Sequence, residues 1–116
     1  MENVYLYTAG LLGICIAGVH GYLGEMRVVV PSQAPTDQAK RILHAIMVIS
    51  AIYWFAAGLI LLLTPILFLE NQRALIAYGA AFLFSTGSLA NFWATRGRHF
   101  GWVLLAIASG LAILGA

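Results

Sequence analysis

No charged side chain interrupts the chain from Val4 to Leu23. A helix needs roughly 20 apolar residues to cross the hydrocarbon core of a bilayer. Two further apolar runs follow, at about 39–63 and 74–94, and a shorter one at about 100–114. Of the 116 residues, 62% are hydrophobic and only 9% charged, against about 25% charged in a soluble domain. That deficit leaves too little charge for a water-facing surface. The sequence therefore predicts one integral membrane domain over residues 1–116, an all-α transmembrane four-helix antiparallel bundle.

The first span places Gly10, Gly13, Ala17, Gly21 and Gly24 at intervals of three or four. Such a face lets helices approach closely in lipid. His20 borders it and is expected to point into the bundle. Asn3 is the expected N-cap, and the lone Cys15 is expected to pack as a small hydrophobe. The opening Met1-Glu2-Asn3 lacks the basic segment of a cleaved signal peptide, so the first run reads as a retained helix.

Residues 25–38 hold Pro31, Ser32, Pro35 and Asp37 and read as a loop, with Thr36 or Asp37 capping the second span. In that span a face through His44, Met47, Val48, Ala51, Phe55 and Gly58 has helical spacing, with Trp54 on its border. Thr64-Pro65 is expected to end or restart the helix, and Ile66–Arg73 to form a short interfacial turn, the alternative being one longer tilted helix from Pro65 with its first turns at the interface. The third span shares one face among Ala80, Phe84, Gly87, Ser88 and Asn91. Ser85, Thr86 and Ser88 are expected to bond back to their own helix.

Basic residues are distributed unevenly. Arg27, Lys40, Arg41, Arg96 and Arg98 flank the connections after spans one and three, and Arg73 alone lies at the other end. The positive-inside rule puts the first group in the cytoplasm and both termini outside.

The same end gathers the chemistry. His20, His44 and Asn91 each fall one turn inside it, and His99 and Trp102 open the fourth span there. A rise of 1.5 Å per residue puts these groups in a slab roughly 10 Å thick. Glu25 and Arg41 sit at its edge, Glu25 within reach of Arg41 or Arg98. Ionisable groups inside a membrane segment are candidates for function. The candidate ligand-binding set is His20, Glu25, Arg41, His44, Asn91 and Trp102, and the candidate metal ligands are His20, His44 and His99. Imidazoles bind transition metals, and a pair on adjacent helices can ligate haem. Helix-locking contacts and proton transfer explain the same residues. GxSxG, CxxC and phosphate-loop motifs are absent, and nothing points to nucleic acid or to an enzyme.

The strings His20-Gly21-Tyr22-Leu23-Gly24-Glu25, Arg41 with His44, and Thr95-Arg96-Gly97-Arg98-His99-Phe100-Gly101-Trp102 resemble landmarks of small bacterial four-span inner-membrane proteins with no assigned function. That resemblance implies a multi-pass inner-membrane location and supplies no activity. Small multidrug transporters also have four spans, but their membrane-embedded first-helix glutamate has no counterpart before Glu25. Three functions remain open. The first is a non-enzymatic pocket for a metal, haem or small ligand. The second is an accessory subunit of a larger complex or homo-oligomer, and the third a small-solute or proton-coupled transporter.

Overall fold

The computed structural model describes residues 1–116 and is all-helical. Helix α1 spans Glu2–Gly24, α2 Asp37–Leu67, α3 Glu70–Thr95 and α4 Gly101–Leu114, packed as a four-helix bundle. The first three are long and apolar enough to cross a membrane, whereas α4 is a shorter apolar helix. The bundle measures 50 × 25 × 18 Å.

The glycines of α1 set its distance from α2. A Cβ on Gly10 would lie 2.7 Å from the Gly58 carbonyl, and one on Gly24 would lie 2.9 Å from Met47. The expected small face is thus the α1–α2 seam. Leu6, Leu61, Phe84 and Leu105 fill the interior and are fully buried. Phe84 reaches from α3 to Gly13. Most other large apolar side chains face outward, as expected where lipid is the solvent.

Several boundaries differ from the sequence reading. The helix of α1 runs on through one π-helical turn, Glu25–Val29, because no breaker occurs before Pro31. Asn3 does not cap α1, which starts at Glu2 with Met1 in the cap position; its Oδ1 instead accepts from Arg73. Pro65 lies inside α2, which continues to Leu67, and α3 begins directly at Glu70. The inward face of α2 is Trp54, Ala57, Gly58, Leu61 and Thr64, while His44, Val48 and Phe55 are exposed. The Thr36 cap forms as expected, its Oγ1 accepting from Ala39 N at 3.1 Å. The α3–α4 turn places Arg96 and Gly97 at φ 51° and 71°, with Gly97 N donating to Phe92 O at 2.8 Å. Glycine suits this left-handed helix end.

Serines join α3 to α4 across the seam rather than bonding only within their own helix. Ser109 Oγ donates to Ala81 O at 3.0 Å, so its oxygen accepts from Ser85 Oγ at 2.7 Å. Ser88 Oγ donates to Trp102 O at 2.7 Å. Of Ser85, Thr86 and Ser88, Thr86 alone bonds solely within its own helix, to Phe82 O and Leu83 O.

Helix α4 fixes how far the bundle is closed. Its end meets the start of α1, where a Cβ on Gly115 would lie 2.7 Å from Leu6 and 3.0 Å from the Glu2 carbonyl. Fourteen residues of α4 extend about 21 Å. Its first turn therefore comes opposite the His20 turn of antiparallel α1. Beyond that level the ends of α1 and α2 project past α4.

Candidate functional site

All three histidines lie toward this projecting, basic end, but each has different partners. His20 packs edge-on against Trp54, with ring centroids 4.4 Å apart. Its Nε2 lies 3.0 Å from Ser50 Oγ. Ser50 commits its single proton to the carbonyls of Ile46 and Met47, so its oxygen accepts from His20 Nε2–H. Trp54 also packs on α3, where a Cβ at Gly87 would come within 2.8 Å of the indole. His20, Ser50, Trp54 and Gly87 thus connect three helices.

His44 takes a different partner. Its Nδ1–H donates to Glu25 Oε2 at 2.6 Å, a carboxylate–imidazole pair with both side chains about half exposed. Glu25 was expected to meet Arg41 or Arg98. It meets His44 instead, from the residue where α1 passes into the π turn. π segments frequently mark functional positions.

His99 belongs to the α3–α4 turn. Its Nδ1 accepts from Gly101 N at 3.1 Å, and its ring stacks on Phe100 at 5.1 Å. A Cβ on Gly101 would lie 2.8 Å from that ring and 3.6 Å from Asn91 Nδ2. Asn91 Oδ1 is buried without a hydrogen-bond partner. Trp102 Nε1 donates to Gly97 O at 3.3 Å, and its ring packs edge-on against Phe92. Both serve the turn.

No group of three or more His, Cys, Asp or Glu side chains converges to hold a metal ion. The proposed His20, His44 and His99 set is not brought together as one ligand cluster, because each ring is held by a different part of the bundle.

The structure places a shallow, open polar cleft around the Glu25–His44 pair, lined by Glu25, Val29, Asp37, Lys40, Arg41 and His44. Lys40 Nζ donates to Val30 O at 3.3 Å. Of the expected site residues, the cleft holds Glu25, Arg41 and His44, while His20, Asn91 and Trp102 line the layer beneath or the adjacent turn. Sequence reasoning had used Asp37 and Lys40 only as helix-start and interface signals. Asp37 precedes Arg41, and Lys40 precedes His44, by four residues on one helix, a spacing that marks a shared face. Ser50 was missed altogether; a lone hydroxyl in an apolar span was its only signal.

No family model, curated protein or solved structure matches the chain.

Proposed function

We propose that this is a four-span integral membrane protein of the bacterial inner membrane, with both termini outside, that binds a small polar ligand in the Glu25–His44 cleft at its cytoplasmic end. The orientation rests on the five basic side chains at that end against Arg73 at the other. The binding reading rests on one observation. A carboxylate–imidazole pair at 2.6 Å is held by a π turn at the rim of a cleft carrying further charges of both signs. A pair serving only to lock two helices would need no such cleft around it.

The test is thermal unfolding of the purified protein with phosphate or ethanolamine, compared with the His44→Ala variant. A ligand at 100 times its dissociation constant adds about 2.7 kcal/mol, a readily measured rise in Tm. A rise in the wild type that His44→Ala abolishes supports the reading. Identical responses from both proteins refute it.

An accessory-subunit reading is favoured by a separate feature. Gly18, Gly79 and Gly110 have nothing within 4 Å of where a Cβ would stand, leaving small-residue positions uncovered for a neighbouring helix. Sedimentation in mild detergent tests it, and a monomer without partners would count against it.

A further inference from the structure

We propose that the cleft binds the headgroup of an aminophospholipid from the surrounding leaflet, with the phosphate on Lys40 and Arg41 and the primary ammonium on Glu25 and Asp37. This inference rests on the membrane-embedded, ligand-binding reading above and names the ligand.

Charge balance is the first support. Two carboxylates and two permanent cations line one cleft with His44. That set complements a zwitterion better than a simple anion or cation. A phosphate linked to a primary amine carries both charges on one short headgroup.

The second support is unused bonding capacity. Arg41 and Asp37 enter none of the side-chain hydrogen bonds or ion pairs of the chain. Lys40 makes one bond, to the Val30 carbonyl, from an ammonium with three donors. Glu25 uses Oε2 on His44 and leaves Oε1 available. Arg73 at the opposite end donates to Asn3, Pro65 and Phe68, whereas Glu2, Arg27, Glu70, Arg96 and Arg98 are as free as Arg41 and Asp37; the cleft stands apart by gathering free groups of both signs in one place.

Depth is the third. Measured from the midpoint of α2 near Ile52, Lys40 and Arg41 lie about 17–18 Å along the helix, and His44 about 12 Å. Half the hydrocarbon core is about 15 Å. With the bilayer centred on the midpoint of α2, Lys40 and Arg41 stand at headgroup depth and His44 just inside.

The flank below the cleft is compatible with such a ligand. One and two turns deeper than His44 on α2 lie Val48 and Ile52, both exposed. On α1, one and two turns deeper than Glu25, lie exposed Tyr22 and the open Gly18. Outward apolar side chains cover the rest of the bundle too, so this strip accommodates the acyl chain of a bound headgroup without singling it out.

The experiment is native mass spectrometry of the full chain in detergent. It is titrated with phosphatidylethanolamine, phosphatidylcholine and phosphatidylglycerol of identical acyl chains, and separately with water-soluble phosphoethanolamine. A trimethylated ammonium cannot donate the hydrogen bonds that Glu25 and Asp37 would accept. One such charged bond corresponds to roughly tenfold in affinity or more. Phosphatidylethanolamine should therefore bind about tenfold tighter than phosphatidylcholine. Glu25→Gln should reduce that preference, and Arg41→Gln should weaken both lipids. Equal retention of the three lipids overturns the proposal, as does a preference for phosphatidylglycerol. Phosphoethanolamine binding as tightly as its lipid overturns the lipid assignment while leaving the ligand-binding reading standing. Failure of every probe to bind removes both. Circular dichroism of each variant confirms that the helices are intact.

Discussion

Gly58→Ala is the sharpest test of how α1 and α2 are held together. A Cβ at this position would stand 2.6 Å from Gly10 O, 2.9 Å from Ile14 N and 3.0 Å from Ile14 Cγ1. Two of these are backbone atoms of α1 and cannot rotate away. Restoring ordinary contact at 3.4 Å requires the helices to part by about 0.8 Å, and a gap of that size forfeits a quarter to a half of each dispersion contact it opens. Overpacking of this kind costs about 1–3 kcal/mol. Gly79→Ala is the control, because nothing lies within 4 Å of its Cβ position. There the substitution gains helix propensity of up to about 1 kcal/mol. The same propensity gain applies at Gly58 and cancels, so the two variants should differ by the overpacking cost, about 1–3 kcal/mol, in reversible unfolding in mixed micelles, followed by tryptophan fluorescence. If Gly58→Ala proves as stable as Gly79→Ala, the close α1–α2 seam is wrong.

The Ser85–Ser109 bond should show a coupling of about 0.6–1.7 kcal/mol in a double-mutant cycle; zero coupling would remove it as a cross-helix link. Asn91→Leu should raise stability by about 1–3 kcal/mol, because it removes a buried oxygen without a partner, and unfolding in micelles measures this directly. Arg73→Ala should cost about 1–3 kcal/mol, since its guanidinium joins Asn3 to the α2–α3 corner. Faster amide hydrogen exchange in the first turn of α1 would accompany that loss.

The helices were legible because apolar length is a strong signal in a membrane chain. Gly10, Gly13 and Gly24 were legible as a contact face because small residues at helical spacing have few other uses in lipid. The inward face of α2 was harder to read. A helix surrounded by lipid is apolar all round and lacks the polar stripe that marks inside from outside in water, so Val48 and Phe55 looked as eligible for burial as Ala57 and Leu61. The π turn was invisible for a different reason. Glu25-Met26-Arg27-Val28-Val29 permits continued helix up to Pro31, but nothing in it distinguishes one helical winding from another. The pairing of Glu25 with His44 rather than an arginine was equally invisible, because it depends on how α1 and α2 meet. The candidate site was thus legible as a location at one end of the bundle, but its pairings depended on local geometry.

The acidic residues of the cleft favour the proposed binding site over a set of orientation signals. Lys40 and Arg41 alone would be explained by the positive-inside rule, which depends on Lys and Arg near the ends of spans. Glu25 and Asp37 contribute little to that rule, and placing them beside the cations weakens the local positive field. Asp37 does suit the start of α2, where a carboxylate favours the helix dipole, but Thr36 already supplies the cap. Glu25 has no such excuse, because it sits where α1 passes into its π turn, far from any helix start. Its pairing with His44 accounts for one of its oxygens only. The short α4 completes the argument: by stopping at the His20 level it leaves the α1–α2 end uncovered, so the charges there face the bilayer interface instead of a fourth helix. A bundle built only to pack would gain by closing that end.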